Sequence, residues 1–141
     1  MPLTAPAQGL QQMIGEFAAE RSEIVAAVLG SGDGLLITAS EDVDRDHADE
    51  LAAIACGLVS IVSGSTARMF GDDRVELAAA RLTHRTLLVR PVADGSVLAV
   101  IATTDADVER TGEAMADLAG RIGTVLTVEV REELQAAAAP W

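Results

Sequence analysis

Hydrophobic residues along the chain recur with two different periods, and their alternation predicts an ordered series of helices and strands. In residues 7–20 the apolar positions follow one another at three and four residues, which is typical of a helix with one buried face. Residues 22–29 and 35–39 are short, apolar and rich in branched side chains, as strands are. Asp33-Gly34 between them predicts a hairpin turn, because both residues tolerate positive φ.

The longest predicted helix spans residues 46–70, with Asp46 as its N-cap. One apolar stripe is expected to face the sheet: Leu51, Ile54, Ala55, Leu58, Val62, Ser65 and Met69. The opposite side is also apolar or small: Ala52, Gly57, Val59, Ile61 and Gly64. A helix that is apolar nearly all round is buried on more than one side. We therefore expect a second subunit to cover it, with a loop or the last helix as the alternative cover.

Three further strands are predicted at residues 74–82, 85–92 and 96–102, and an Asp94-Gly95 turn joins the last two. Because short turns connect consecutive strands, the sheet is expected to be antiparallel. The last strand is apolar on both faces, so helices should cover both faces of the sheet. The predicted fold class is α+β, a profilin-like sandwich with a five-stranded antiparallel sheet and the element order α-β-β-α-β-β-β-α.

The last predicted helix starts after Asp105 or Asp107, either of which is a suitable cap. It either continues to Leu134 or breaks near Gly123. The predicted domain organisation is a flexible N-terminus, one domain, and a helical extension with a frayed tail: residues 1–6, 7–125 and 126–141.

Composition and charge narrow the function classes. The 141 residues include 22 acidic and 10 basic ones, and the net charge is −12. All the basic residues are Arg, and the aromatic residues are Phe17, Phe70 and Trp141. Such a chain lacks the basic patch and the stacking platforms that nucleic-acid binding requires. We find no signal-peptide pattern and no apolar run near the roughly 18 residues of a membrane span. These features predict a cytoplasmic protein with no nucleic-acid partner and no direct membrane insertion.

Two segments resemble ligand-binding loops but depart from the required patterns. The glycine-rich residues 30–34 lead into a strand, whereas a phosphate-binding loop leads into a helix N-terminus. The acidic residues 41–47 follow a calcium-loop pattern until His47 stands where Gly is required, and Ala53 replaces the bidentate Glu. We interpret the first as a hairpin turn and the second as a solvated loop, with weak surface cation binding as the alternative. The acidic charge favours a basic protein partner.

Candidate catalytic and metal-binding residues are few. His47 and His84 are the only histidines, and a metal site needs three or four convergent ligands. Cys56 is expected to be a small buried residue, because a thiolate nucleophile needs a His and a cationic setting that the neighbouring sequence lacks. The sequence predicts no catalytic residue, no metal site and no cofactor.

The order of elements and three segments resemble the roadblock domain family, the dynein light chain and gliding-motility regulator group. The segments are the hairpin of residues 28–37, the Ala/Gly/Ser-rich helix of residues 46–70 and the strand of residues 97–102. The resemblance covers roughly Leu10 to Val125. The Lys-free, Ala- and Arg-rich composition is similar to roadblock members of actinobacterial operons called conservons. Those operons also encode a sensor-kinase-like protein and a small Ras-like GTPase.

The resemblance implies a non-enzymatic platform. Roadblock domains dimerise by joining edge strands into one sheet, with their middle helices side by side on a face that docks a Ras-like GTPase. On this chain the joining strand would be residues 74–82. The resulting interface prediction comprises Val75, Leu77 and Ala79 of that strand with Ala52, Gly57 and Ile61 of the helix. The predicted partner-binding residues are Asp46, His47, Glu50 and Arg68, of which Arg68 is the one placed to act as an arginine finger.

The predicted function is therefore a dimeric regulator of a small Ras-like GTPase in a bacterial signalling complex. The dimer is a homodimer or a heterodimer with a paralogue, and a sensor-kinase-like protein is a further expected partner. The alternative is a monomeric PAS-like or profilin-like domain that senses a small ligand between sheet and helix. A ligand pocket needs polar anchors, and the small aliphatic residues of these strands supply few of them.

Overall fold

A computed structural model describes residues 2–71 and 73–138, which form four helices and five strands. The elements are α1 (Ala5–Glu20), β1 (Ile24–Gly30), β2 (Leu36–Ala39), α2 (Arg45–Phe70), β3 (Ala78–Arg81), β4 (Arg85–Pro91), β5 (Val97–Thr103), α3 (Val108–Val125) and α4 (Val128–Ala138). The predicted order is confirmed up to the last helix. That helix breaks at Leu126, close to the predicted break, and continues as α4.

The five strands form one antiparallel sheet in the order β2-β1-β5-β4-β3. The predicted α+β class and the five-stranded antiparallel sheet are confirmed. β5, the last strand in the sequence, lies in the centre, and β2 and β3 form the two edges.

Helices cover both faces of the sheet, as the apolar faces of β5 predict. Leu98, Val100 and Ala102 belong to the core under α1, α3 and α4. Val97 and Ala99 belong to the smaller core under α2. Successive side chains of a strand point to opposite faces, so a central strand between two helical layers is apolar throughout.

Helix boundaries depart from the predicted ones by a few residues. α2 is capped by Asp44, whose side chain accepts from the backbone N–H of His47, and not by Asp46. Asp107, one of two predicted caps, accepts from the backbone N–H of Arg110 at the start of α3. In both cases the cap is the last residue with extended backbone, which lets its carboxylate reach the free amide three residues on.

The two ends of the described chain meet on one face of the sheet. α1 begins at Ala5, and the backbone N–H and hydroxyl of Thr4 donate to the Glu133 carboxylate of α4 at 2.6 and 2.7 Å. α4 buries Val130 and Leu134 in the core under α1 and extends to Ala138, so the first part of the predicted tail is helical. Residues 139–141 of that tail lie outside the described residues.

Candidate functional site

The first half of α2 lies directly on the sheet through small side chains. Ala48, Ala52 and Ala55 are each 1% exposed. A Cβ on Gly30 would lie 3.0 Å from the Ala52 Cβ, so helix and hairpin are in close contact there. The prediction that Ala52 lies on the outer side of α2 is therefore wrong. Alanine occupies this line because only a small side chain allows the helix to approach the strands so closely.

The opposite side of α2 is open to solvent. Six residues spaced by three, four or seven positions lie along it, and we call them the outer stripe: His47, Glu50, Ile54, Gly57, Ile61 and Arg68. Ile61 is 71% exposed and Ile54 is 55% exposed, although the sequence placed Ile54 against the sheet. The structure thus places five predicted interface and partner-binding residues on one line, with Asp46 in the same first turn.

The second half of α2 is less closely packed than the first, although Leu58 and Val59 contact the core beneath it. None of residues 56–70, all of which the structure describes, is buried, and Met69 and Phe70 are 70% and 60% exposed. Among the described residues, α2 is the helix whose length and mean hydropathy would allow it to cross a membrane, although Ser and Thr interrupt its apolar residues. Only 11% of its most apolar 18-residue window is buried. The protomer therefore exposes an unusually apolar helix.

β3 is a short edge strand, and it is shorter than predicted. It spans Ala78–Arg81, so Val75 and Leu77 precede it. The N–H of Leu82 donates to the carbonyl of Arg85 at 2.8 Å, so these two residues form a hydrogen-bonded pair. Along an antiparallel ladder such pairs alternate with pairs that are not hydrogen-bonded to each other. By that alternation the backbone groups of Ala79 point away from β4, toward the free edge.

The side chain of Leu77 packs inside the protomer. Its Cδ2 atom would lie 2.6 Å from a Cβ on Gly112 of α3, so Leu77 is seated on the bare backbone of that glycine. Leu77, predicted to lie in the dimer interface, is partly buried against the core of its own protomer, and its place in an interface stays a prediction. Val75 lines an open groove of about 900 Å³ between the end of α2 and the segment leading into β3, together with Val62, Phe70 and Leu77.

Arg81 fixes the free edge from the other face of the sheet. Its guanidinium donates to the Thr86 hydroxyl at 3.2 Å and to the carbonyl of Ala106 at 3.3 Å, and it also donates to the carbonyl of Thr104. The side chain therefore connects the edge strand to the loop before α3. No sequence pattern singled out Arg81, because two of its three partners are backbone carbonyls more than 20 residues away.

The glycine-rich motif takes the hairpin conformation that the sequence predicted, whereas the last residues of the acidic motif, 45–47, form the first turn of α2. In the glycine-rich turn the N–H of Ser31 donates to the carbonyl of Leu35 at 2.8 Å, and Gly34 has a φ of 86°. The Ser31 hydroxyl donates to Asp33, and this bond lowers the pKa of that carboxyl below its ordinary value. The turn joins two strands and is a hairpin.

Cys56 and the histidines do not come together. The Cys56 thiol is half-buried and donates to the carbonyl of Gly32 at 2.9 Å, which links α2 to the hairpin turn. Within residues 2–71 and 73–138, no group of three or more His, Cys, Asp or Glu side chains is arranged to hold a metal ion.

Comparison with known proteins gives a consistent picture. The family model described as the Roadblock/LC7 domain matches residues 10–102. A Roadblock/LC7 domain from Streptomyces avermitilis is 32% identical, with a TM-score of 0.72 over 79% of this chain and 92% of that one. No match was found among the curated proteins.

More distant structures share the fold. The gliding protein MglB from Thermus thermophilus is 14% identical, with a TM-score of 0.73 over 89% of this chain and 93% of that one. A profilin from Schizosaccharomyces pombe is 11% identical, with a TM-score of 0.61 over 84% of this chain and 99% of that one. These likenesses show a profilin-like fold.

Proposed function

The chain belongs to the Roadblock/LC7 domain family, and from this premise we propose that it is a non-enzymatic dimeric platform for a small Ras-like GTPase. The platform would regulate that GTPase in a cytoplasmic bacterial signalling complex. The observation that carries the proposal is the exposed apolar side of α2, which the protomer leaves uncovered beside a free strand edge. Large exposed apolar patches mark interaction surfaces.

The free edge of β3 supplies one half of the proposed dimer contact. Ala79 directs its N–H and carbonyl away from β4, and unpaired backbone groups on an edge strand are a template for another strand. A two-fold axis perpendicular to the sheet at this edge would join two sheets into one of ten strands and leave both α2 helices on the same face. A heterodimer with a paralogue would use the same edge.

The outer stripe supplies the other half. Gly57 and Gly64 flank the exposed Ile61, and a Cβ at either glycine would meet nothing within 4 Å inside the protomer. A helical glycine costs roughly 0.5–1 kcal/mol relative to alanine, and nothing within the protomer requires one at these positions. A second α2 crossing antiparallel would use both glycines for close approach. Burial of a side chain such as that of Ile61 stabilises by about 1.5–3 kcal/mol.

The two ends of α2 are proposed to contact the GTPase. Asp46, His47 and Glu50 lie in the first turns, and Arg68 lies in the last turn. Acidic residues at this position attract a basic surface on the partner, while Arg68 is the charged group at the other end. We favour a mechanism in which the dimer orders the catalytic residues of the GTPase itself over one in which Arg68 enters its active site.

The test is a calorimetric titration of the purified protein against the Ras-like GTPase encoded nearest to it, in the GDP state and in a GTP-analogue state. Binding that prefers one state establishes a regulator, since a ligand with equal affinity for both states shifts no equilibrium. Equal binding to both leaves a scaffold. No binding by a folded, monomeric protein contradicts the proposal and favours the small-ligand sensor.

A matched pair of variants locates the contact. Glu50→Lys should weaken binding of the GTPase by reversing one charge at the start of α2. Glu109→Lys makes the same change at an exposed site on α3, on the other face of the sheet, and should leave binding unchanged. Equal effects of both variants would show that overall charge, and not this surface, determines binding.

A further inference from the structure

An apolar groove of about 360 Å³ opens between the start of α2 and the ends of β1 and β5. We call it the β1–α2 groove. Its apolar lining is Val25, Ala26, Val43, Leu51, Ile54 and Ile101. Val25 and Ile54 are 40% and 55% exposed, so the groove presents branched aliphatic side chains to solvent. It lies over β1 and β5, which β4 separates from the edge strand β3.

A bulge in β1 creates this groove. Ile24 pairs with Ala102 and Ala26 pairs with Ile101, so Val25 is an extra residue without a partner on β5. The other six residues of β1 are buried. A bulge turns its extra side chain away from the regular alternation, and here it turns a valine outward.

The rim of the groove is acidic. Asp42, Asp44 and Glu50 line it together with His47, and all four are exposed. The lining contains no Arg. Arg45, adjacent in sequence, is held by the Asp49 carboxylate at 3.0 Å. The groove therefore combines an aliphatic floor with three carboxylates at its edge, one of which, Asp44, also lies 2.6 Å from the Nδ1 atom of His47.

We propose that the β1–α2 groove binds a short protein segment in which one large apolar side chain is flanked by Arg or Lys. The aliphatic floor takes the apolar side chain, and the three carboxylates attract the flanking cations. The same carboxylates repel phosphates, so the groove disfavours nucleotides and anionic lipid surfaces. It shares His47 and Glu50 with the surface proposed for the GTPase, but any protein with such a segment fits it, so the inference does not require that function.

The test uses a synthetic peptide and the full chain. The probe is a twelve-residue peptide with one central Leu, two Arg on each side, and Gly or Ser elsewhere. It is titrated into protein labelled at the Ile, Leu and Val methyl groups and followed by NMR. Saturable shifts are expected for the methyl groups of Val25, Ile54 and Ile101, while those of Ile61 stay in place. No shift at the three groove residues up to about 1 mM peptide overturns the proposal.

Two control peptides separate the apolar contribution from the charge contribution. Replacing the central Leu by Asn, or the four Arg by Glu, should each raise the dissociation constant at least about tenfold. If the Leu-to-Asn peptide binds as well as the probe, the contact is a non-specific charge attraction and the groove has no role. If the peptide with four Glu binds as tightly as the probe, the acidic rim does not contribute to binding.

A matched pair of protein variants then tests the location. Val25→Ser removes the bulge side chain from the groove and should weaken binding of the probe about tenfold. Val128→Ser makes the same change at an exposed position of α4, 53% accessible, and should not alter binding. Because the probe is a peptide and not a GTPase, the two experiments test separate proposals. Failure of the peptide to bind does not contradict the proposed GTPase platform, and failure of the GTPase to bind does not contradict the proposed peptide groove.

Discussion

Asp44 and His47 are joined by two contacts at the start of α2. One carboxylate oxygen of Asp44 accepts a hydrogen bond from the backbone N–H of His47 at 2.9 Å, and the other lies 2.6 Å from the Nδ1 atom of the same residue. The backbone hydrogen bond is the main reason why the pKa of Asp44 lies below its ordinary value, and the charge interaction with His47 adds to it. The cap of α2 is therefore sensitive to acid.

The stability that this cap contributes depends on pH. Because the pKa of Asp44 is lower in the folded chain than in the unfolded chain, the contribution is complete above the unfolded pKa. It decreases as the pH falls through the folded pKa. Asp44→Asn keeps a capping oxygen without a titrating group, so its unfolding free energy should fall less than that of the wild type below about pH 4. Chemical denaturation at a series of pH values measures the difference, and parallel curves would contradict it.

Ile61→Asp is expected to convert the proposed dimer to a monomer without unfolding it. The side chain is 71% exposed in the protomer, so a carboxylate there is solvated in the monomer but buried in the proposed interface. Light scattering should give the 14.6 kDa of a single chain, and circular dichroism should be unchanged. The control is Val128→Asp on α4, which should leave the dimer intact. Unaltered mass for both variants would exclude α2 from the interface.

Ala79→Pro tests the strand edge independently of α2. Proline lacks the N–H that Ala79 directs outward, so it should weaken dimerisation while keeping the pairing of β3 with β4. Ala80→Pro removes an N–H that faces Leu87 of β4 and should lower the unfolding temperature. Ala79→Pro is expected to lower the molecular mass in solution and to keep the unfolding temperature. Ala80→Pro is expected to lower the unfolding temperature and to affect the molecular mass less. Equal loss of stability would show that both amides are used within the protomer.

Gly30→Ala tests how closely α2 lies on the hairpin. The new Cβ would lie 3.0 Å from the Ala52 Cβ and 3.4 Å from its Cα, which is too close without a shift of the helix. We expect a loss of about 1–3 kcal/mol in unfolding free energy. Adding Ala52→Gly should recover part of it, and Gly120→Ala on the open side of α3 should not destabilise the protein. If the double variant recovers nothing, the strain arises elsewhere.

Arg68→Ala separates two mechanisms of GTPase regulation. If the dimer orders the catalytic residues of the GTPase, the variant should stimulate GTP hydrolysis nearly as well as the wild type. An arginine finger would instead lose a factor of about 10³ or more in rate. Single-turnover hydrolysis at saturating platform concentration distinguishes the two, and a loss of that size would contradict the ordering mechanism.

Much of the fold follows from local sequence. The Asp33-Gly34 turn, the apolar period of residues 7–20 and the doubly apolar β5 each depend on neighbouring residues alone, and each prediction is confirmed. Turn chemistry and hydrophobic period act over a few residues, so the sequence displays them directly. The family followed from the same order of elements.

The orientation of α2 did not follow from its sequence. The helix is apolar on nearly every side, so period alone gave no preference, and the larger side chain of Ile54 was assigned to the core in place of Ala52. The contact with Gly30 decides otherwise, because the backbones approach too closely for a large side chain. The bulge at Val25 and the β1–α2 groove likewise arise from register with β5, which one strand by itself does not specify.

By itself, the sequence determined the elements and their order up to the last helix, and with them the family, since short-range periodicity and turn residues encode them. Only the tertiary structure decided which side of α2 is left uncovered, where β3 begins, and that Leu77 lies on Gly112. These features depend on contacts between residues distant in the chain. When several faces of an element are similarly apolar, the face that is buried is the one whose side chains fit those of the neighbouring elements. That fit arises only when the elements are assembled.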